Sequence, residues 1–445
     1  MDQTIDMPAA ETQKPEKPRT SPAPCPAAPE SLAACGLPVD FLIDLTLKTF
    51  HHGGALCLWE LCERLRLPLA VIEPVFEFIR AESLCEVCRH QTSSFEIAYQ
   101  LTEAGRSRAR AALEASRYVG PAPVTLAAYT AQVAAQSIAG MHVSPADLDA
   151  AFSDLIISEG VRDQFGAAIN STRATLIYGH SGSGKTFIAE HVVDGLNGDI
   201  FVPHALYADG QVIQVFDPMV HRETGKAAPG DGGERPLQRG QDGDARWLRC
   251  HRPVVIHGGE LTLAALDLQF DPQARFYVAP PQLKANGGIL IVDDLGRQRV
   301  SPQDLMNRWI VPLDRRVDHF VLHDGRKFSL PFDVNVIFST NLKPAEIADP
   351  AFLRRLGYKI HIGEVGAHDY RRIFLRACER ARVAFSEGAF RHLLECHELD
   401  QQPLLAAVPF DLVSMICDRA RYLGTPPTLS ELSMEWAWQT YFARE

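Results

Sequence analysis

The 445-residue sequence lacks any apolar run approaching the roughly 20 residues of a membrane-spanning helix, so no membrane insertion is expected. Its first residues, MDQTIDMPAAETQKPEK, have neither the basic start nor the apolar centre of a secretory signal. An excess of positive charge is also missing: the net charge is −11, which argues against nonspecific coating of nucleic acid or of an anionic membrane. Its ten cysteines are scattered through apolar stretches, as buried free thiols are. These features predict a soluble, cytoplasmic protein.

Composition and periodicity divide the first part of the chain into three regions. Residues 1–37 are rich in Pro and Ala and are predicted to be disordered. Residues 38–118 predict three helices, two strands around a polar turn and a closing helix. Residues 119–165 predict a linker followed by a lead-in helix, which starts with Ser144 as N-cap and Pro145 at the first helical position.

From residue 166 onward, strands and helices alternate. Residues 166–363 contain continuous apolar strands, which are typical of a parallel sheet covered on both faces, so we predict an α/β core. A Gly-rich polar insertion at about 222–246 is predicted to be mobile. Residues 364–445 are predicted to be entirely helical.

A phosphate-binding pattern stands between an apolar strand, ATLIYG, and a predicted helix. Glycines let the backbone curl so that N–H groups face the phosphates, and the helix N-terminus adds positive potential. Lys185 would reach the β- and γ-phosphates of ATP, and Thr186 would hold Mg²⁺. The pattern consists of Gly179, His180, Ser181, Gly182, Ser183, Gly184, Lys185 and Thr186.

Two acidic residues follow a second buried strand, ILIV. Asp293 is expected at the carboxyl end of that strand beside the phosphate loop, where it would bind Mg²⁺. Asp294 is placed to polarise the attacking water. The alternative is a core strand that ends in a polar turn.

These motifs, with Asn341 ending a third strand and Arg354-Arg355 shortly after it, resemble the AAA+ ATPases over residues 150–445. The resemblance implies that Asn341 is the first sensor, which orients the water. It also implies that Arg354 or Arg355 is an arginine finger inserted into a neighbouring subunit's site, hence a homo-oligomeric ring, commonly a hexamer. The alternative for the two arginines is a solvated basic patch.

The sequence departs from the common family pattern at two positions. Asp294 stands where most members have Glu, although an Asp-Asp-Leu-Gly stretch is similar to helicase loaders and transposon helpers. Phe410 stands where a second sensor arginine is expected, and Arg419 or Arg421 is a candidate substitute. Both departures favour slow turnover.

A predicted hairpin turning at Asp324-Gly325 precedes the third strand. Its position, with ANGGILIVDD, resembles the AAA+ branch that contains the MoxR-type and enhancer-binding ATPases. Hairpins of that branch often touch the substrate, and a purely structural hairpin is the alternative.

The predicted elements of residues 38–118 resemble a winged-helix domain, and the phrase YQLTEAGR resembles the end of the wing in bacterial winged-helix regulators. The third helix of such a domain normally enters the major groove. Here that helix carries Glu73, Glu77 and Glu82 against Arg80. We therefore predict docking of a client protein over DNA binding. The pair Cys85-x-x-Cys88 has no second pair nearby, so ordinary cysteines are favoured there over zinc ligands.

The sequence as a whole predicts an ATP-hydrolysing AAA+ factor that assembles or remodels a client protein. A DNA-associated regulator or loader and a slow nucleotide-dependent switch are the alternatives.

Overall fold

The computed structural model describes residues 23–88, 97–192, 198–224 and 243–443. It contains an amino-terminal helical unit, a central parallel sheet with helices on both faces, a second group of strands, and a carboxyl-terminal bundle of helices. None of the helices within these ranges combines the length and apolar character needed to cross a membrane.

The amino-terminal unit packs its helices and a two-stranded antiparallel sheet around one core. Leu42, Leu61 and Ile72 are fully buried in that core, as the helical spacing of their segments predicts. Thr102 caps the closing helix by accepting a hydrogen bond from the Gly105 N–H. The elements are α1 (Leu32–Cys35), α2 (Val39–Gly53), α3 (Leu58–Leu65), α4 (Leu69–Ala81), β1 (Cys85–Cys88), β2 (Ala98–Leu101) and α5 (Glu103–Ala115).

The prediction of a disordered tail over residues 1–37 is wrong for its last part. Residues 1–22 lie outside the described residues, but α1 is a capped helix, and Cys35 and Leu37 belong to the amino-terminal core. The side chains of Cys35 and Leu37 are 3% and 5% exposed. The Pro- and Ala-rich composition of the whole tail predicts disorder, but its last residues are apolar enough to bury surface in the core.

Five parallel strands form the central sheet, as the continuous apolar runs predict. One face is covered by α7 (Pro145–Ala151), α8 (Glu159–Ser171) and α9 (Lys185–Val192), and the other by α11 (Pro302–Arg315). Pro145 is the first residue of α7, after the Ser144 cap, as predicted. The strand order is β16 (Tyr358–His361), β4 (Thr175–Tyr178), β15 (Asn335–Thr340), β12 (Ile289–Val292) and β9 (Val254–His257).

The remaining strands form a separate group, here called the β unit, around a core of their own. Its sheet has the order β10 (Gln269–Asp271), β11 (Phe276–Val278), β7 (Gln211–Gln214), β6 (Ala205–Ala208) and β3 (Val124–Thr125). Two antiparallel pairs pack against it: β5 (Asp199–Pro203) with β8 (Trp247–His251), and β13 (Val317–Val321) with β14 (Lys327–Pro331). The β13–β14 pair is the hairpin predicted at Asp324-Gly325.

The prediction that residues 119–165 are a linker is wrong for their first half. Strand β3 pairs in parallel with β6, and α6 (Leu126–Ala135) packs on the same core. Of the insertion predicted to be mobile at 222–246, residues 225–242 lie outside the described residues. Near the carboxyl end of the predicted insertion, Asp244 and Arg246 form a buried ion pair, with 2.7 Å between Oδ2 of the aspartate and a guanidinium nitrogen.

The amino-terminal unit and the β unit share apolar surface. Tyr207 and Phe276 of the β unit contact Phe41 and Tyr118, with ring centroids 4.9 and 5.7 Å apart. Ala205 and Val212 belong to the amino-terminal core itself. Because these side chains are shared, the two units pack as one body.

Residues 364–443 form the carboxyl-terminal helices, as predicted, and are here called the lid. Its core includes Tyr370, Phe374, Leu412 and Trp438, all buried. The remaining helices of the chain are α10 (Pro281–Lys284), α12 (Pro344–Ile347) and α13 (Pro350–Leu353), and the lid helices are α14 (Ala367–Ala381), α15 (Glu387–Leu399), α16 (Val408–Leu423) and α17 (Glu431–Tyr441).

Candidate nucleotide site

The loop between β4 and α9 has the backbone conformation that its glycines permit. Gly179, Gly182 and Gly184 have φ values of 152°, 82° and 92°, a region that other residues enter at a cost. His180 and Ser181 are exposed at the tip of the loop, and Lys185 begins α9. The predicted strand, loop and helix therefore follow one another in the structure.

Lys185 is buried, with 6% of its surface exposed, and its ammonium group points back across the loop. Nζ donates to the carbonyls of Gly179 and His180 at 3.1 and 2.8 Å and to Oδ1 of Asn341 at 2.7 Å. Burial lowers the pKa of Lys185, and the nearby Asp293 and Asp294 carboxylates act in the opposite direction. The ammonium group of Lys185 is thus held at the edge of the central sheet where β4 and β15 end.

The two acidic residues lie at the same edge. Asp293 follows β12, and Thr186 lies in the helix after β4; strand β15 stands between these two strands. The Thr186 hydroxyl nevertheless donates to Oδ2 of Asp293 at 2.7 Å. Asp294 has a left-handed φ of 50°, and its Oδ1 accepts from Nδ2 of Asn341 at 3.4 Å. Lys185, Thr186, Asp293, Asp294 and Asn341 therefore converge at the carboxyl ends of three strands.

The residues present fit a divalent cation and a phosphate group. The Thr186 hydroxyl and the Asp293 carboxylate supply adjacent oxygen donors, which Mg²⁺ prefers. The Ser183 hydroxyl is buried and, within the described part of the chain, has no hydrogen-bond partner. A buried polar atom of this kind is satisfied when a ligand with acceptor oxygens binds beside it.

The lid touches the phosphate loop directly. The Ala407 N–H donates to the Gly182 carbonyl at 3.0 Å. Beside this contact, a cavity of 350 Å³ lies between the loop, the segment before α8 and the lid. Its walls are mostly apolar and include Ile157, Phe187, Ile373 and Phe410. A flat heterocyclic base linked to phosphates on the loop would find apolar surface here.

Phe410 lines this cavity, whereas the two arginines considered as its substitutes do not. Arg419 lies over the ring of Trp436 at 4.3 Å, and Arg421 pairs with Asp418 at 3.0 Å. The cations that line the cavity are Arg376 and Arg380, one turn apart on α14.

Sequence reasoning missed Arg376 and Arg380. They belong to no motif, and the only signal is the amphipathic spacing of α14, with Ile373 and Ala377 facing the core. The guanidinium group of Arg376 also donates to the Ser153 carbonyl at 3.0 Å, which ties the lid to the segment before α8.

Arg354 and Arg355 lie at the opposite edge of the sheet from the phosphate loop of their own chain. They line a second cavity with Arg173 and Arg316, at the edge where β4 and β16 begin. Nε of Arg355 donates to Oδ2 of Asp314 at 2.8 Å. The exposed Arg354 guanidinium has no such partner within the described residues. The structure thus leaves Arg354 free to contact a group outside the chain.

The comparisons with known proteins cover the chain unevenly. A family model described as "Domain of unknown function (DUF8689)" matches residues 366–440, which form most of the lid. No curated protein matches the sequence.

Similar solved structures include NtrX from Brucella abortus in complex with ATP, at 14% identity and a TM-score of 0.39; the match covers 64% of this chain and 59% of NtrX. They also include a point mutant of RuvB from Thermotoga maritima, at 10% identity and a TM-score of 0.39, covering 65% of this chain and 72% of RuvB. The RuvB Holliday junction branch migration motor from the same organism matches at 11% identity and a TM-score of 0.37, covering 65% and 70%. Identities and TM-scores this low assign no function to the chain.

Proposed function

We propose that this chain is an ATP hydrolase of the AAA+ type that assembles or remodels a client protein. The observation that carries the proposal is the convergence of Lys185, Thr186, Asp293, Asp294 and Asn341 beside a glycine-rich loop. A chance loop would not need an acidic residue and an amide, from two other strands, at hydrogen-bonding distance from its threonine and its lysine. Phosphoryl transfer needs positioning and charge neutralisation, and these residues supply both.

Each residue has a distinct task in this proposal. The loop N–H groups and Lys185 bind the phosphates, and Thr186 and Asp293 hold Mg²⁺, which neutralises phosphate charge when bound. Asp294 accepts a proton from the attacking water or polarises it, and Asn341 orients that water. The apolar cavity under Phe410 receives the base, and Arg376 and Arg380 carry positive charge to the cavity from the lid.

Arg354 is our choice for the residue that completes a neighbouring subunit's site. Its guanidinium is exposed, whereas that of Arg355 is engaged by Asp314. A positive charge supplied by another subunit stabilises the transition state and makes hydrolysis depend on assembly. We therefore propose a homo-oligomeric ring, with six subunits as the expected number.

The amino-terminal unit, which we interpret as a winged helix, is proposed to dock protein. The basic cluster beyond β2 is neutralised: Arg106 and Arg110 pair with Glu103 at 3.1 and 3.3 Å, and Arg108 with Asp44 at 3.3 Å. Paired arginines have less positive potential to offer a phosphate backbone. Tight duplex binding that weakens steeply with salt would favour the DNA-associated alternative instead.

The proposal is tested by phosphate release from ATP with the purified chain. Lys185→Ala is expected to abolish release and to weaken nucleotide binding, because the phosphates lose their main cation. Asp294→Asn is expected to keep ATP binding and lose release. The matched control is Lys327→Ala, an exposed lysine on the hairpin, which should release phosphate at the parent rate. A Lys185→Ala variant that retains most of the activity would refute the proposal.

A slow nucleotide-dependent switch is the second candidate, and one observation favours it. The Asp294 carboxylate is already engaged by Asn341 and lies 3.9 Å from the Arg297 guanidinium. A short side chain held in this way polarises water less freely. ATP hydrolysis that is slower than nucleotide release, together with a lid conformation that still changes when ATP binds, would support this candidate.

A further inference from the structure

A cluster of three metal-ligating side chains lies in the lid, away from the phosphate loop. His392 and Cys396 are one turn apart on α15, so they share one face of that helix. Glu435 approaches them from α17. Their nearest ligand atoms all lie within 4.8 Å of one another.

The distances between the three atoms resemble the edges of a tetrahedral metal site. Cys396 Sγ lies 3.6 Å from His392 Nε2 and 3.6 Å from Glu435 Oε2. Zn²⁺ bonds of about 2.3 Å to sulfur and about 2.0–2.1 Å to nitrogen and oxygen, at tetrahedral angles, give edges of about 3.6 Å for both pairs. Nε2 and Oε2 are 2.8 Å apart, against an expected edge of about 3.3 Å, so only this pair must open slightly.

Polar groups behind the ligands hold them in place. The Gln439 amide donates to Oε1 of Glu435 at 2.6 Å, leaving Oε2 directed at the cluster. Oε2 of Glu395 lies 3.7 Å from Nδ1 of His392, on the ring nitrogen opposite the cluster. A carboxylate behind a histidine and a hydrogen bond to a ligating carboxylate are typical of the surroundings of bound zinc.

We propose that His392 Nε2, Cys396 Sγ and Glu435 Oε2 bind one Zn²⁺ ion, with water as the fourth ligand, and thereby clamp α15 to α17. A thiolate, an imidazole and a carboxylate suit a borderline-soft cation, whereas Mg²⁺ prefers oxygen ligands alone. Cys396 is buried and Glu435 half-buried, so the ion would sit at the surface of the lid core.

Binding includes one proton release. Burial and the adjacent Glu435 carboxylate raise the pKa of Cys396 to about 12, so the free thiol keeps its proton. The Zn–S bond forms as the S–H bond breaks, and that proton passes to solvent. The proton that Nε2 of His392 shares with Oε2 of Glu435 moves to Nδ1, beside Glu395, so that the lone pair of Nε2 can bind the ion. No electron is transferred.

The experiment uses the full chain, stripped with a chelator and titrated with Co²⁺ as a coloured substitute for Zn²⁺. The expected result is one equivalent bound, with a thiolate-to-cobalt charge-transfer band that Zn²⁺ bleaches and Mg²⁺ does not. Zn²⁺ should also raise the melting temperature of the parent by several degrees. The charge-transfer band and the rise in melting temperature should both be lost in Cys396→Ser and in Glu435→Gln. The second variant changes only a half-exposed carboxylate and should therefore leave the lid folded.

Two cysteine variants serve as matched controls. Cys417→Ser removes another lid thiol, and Cys88→Ser breaks the Cys85-x-x-Cys88 pair; both should keep the band and the thermal shift. Absence of the band in the parent overturns the proposal. So does a band that survives in Cys396→Ser, or one that disappears in Cys88→Ser. Because the readouts are optical and thermal, a chain that binds zinc without hydrolysing ATP would still confirm the site.

Discussion

At the scale of single residues, Lys185 links the phosphate loop to a neighbouring strand. Its ammonium group has three N–H donors, and the structure gives it three oxygen acceptors. Two of these are backbone carbonyls of the loop, whereas the third is the side chain of Asn341. A phosphate oxygen that takes one donor would most easily displace Asn341, because a side chain moves more freely than the loop backbone. The same step would leave the hydrogen bond from Nδ2 of Asn341 to Asp294 in place and free Oδ1 of Asn341.

Lys48 is a second buried lysine, and its burial predicts a pH-dependent stability. It is 3% exposed in the amino-terminal core and donates to the Ser116 carbonyl at 3.0 Å. Burial lowers the pKa of Lys48 from 10.5 to about 8, with Asp44 opposing the shift. The unfolded chain therefore binds more protons between pH 8 and pH 10.5, so this residue makes stability rise with pH across that window.

Lys48→Met should stabilise the chain by about 2 kcal/mol at pH 7, because the cost of burying the charge exceeds the lost hydrogen bond. It should also flatten the rise in stability toward pH 10.5. Urea unfolding at pH 7 and above pH 8, with the exposed Lys327→Met as control, measures both. Equal pH dependence in the parent and Lys48→Met would contradict the assignment of the shift.

Motif residues could be predicted from the sequence because the local chain determines where they lie. Gly182 and Lys185 depend only on a strand, a turn and a helix in succession, and Asp293 only on the end of a buried strand. Arg376 and Arg380 could not be predicted, because their position depends on how α14 is rotated against the loop. That rotation is set by packing between segments nearly 200 residues apart.

At the scale of elements, the absence of a side chain at Gly179 lets the end of β4 approach the end of β16 closely. A Cβ added there would lie 2.0 Å from the Ile362 carbonyl oxygen, and φ is 152°. The contact is with backbone and cannot be relieved by a change of rotamer.

Gly179→Ala is expected to destabilise the chain by about 3 kcal/mol or more, through overpacking and backbone strain. Gly210→Ala is the matched control: φ is also positive, at 86°, but no atom lies within 4 Å of the added Cβ. It should cost about 1 kcal/mol. Thermal unfolding of the two variants measures the difference, and equal losses would show that the Ile362 contact does not matter.

Element type was easier to predict from the sequence than element pairing. The central strands could be recognised because β12 is apolar throughout, β15 contains three consecutive apolar residues, and both strands are fully buried. Strands β6 and β7 have similar residue types, yet they pair with each other in the β unit, where β6 also pairs with β3, a strand of only two residues. Apolar periodicity specifies which face is buried but not the partner, so the β unit was not foreseen.

At the scale of the whole molecule, the position of Arg354 predicts that two different inactive chains can restore each other. Arg354→Ala and Lys185→Ala should each lose most ATP hydrolysis when assayed alone. In the proposed ring, an Arg354→Ala subunit would supply an intact phosphate loop, and its Lys185→Ala neighbour would supply the arginine. Phosphate release from the mixture should therefore exceed that of either chain.

Arg315→Ala, which removes an exposed arginine at the end of α11, should be active alone and serves as the control. If mixing at several ratios gave no gain in phosphate release, the arginine would not act between subunits.

The shared core of the amino-terminal unit and the β unit has a mechanical consequence. Rings such as Tyr207 and Phe41, packed 4.9 Å apart, would have to separate before the two units could move relative to each other. A client bound to the amino-terminal unit, as proposed, would then move together with the β unit. A movement of the lid against the sheet would instead break polar contacts such as the Ala407–Gly182 and Arg376–Ser153 hydrogen bonds.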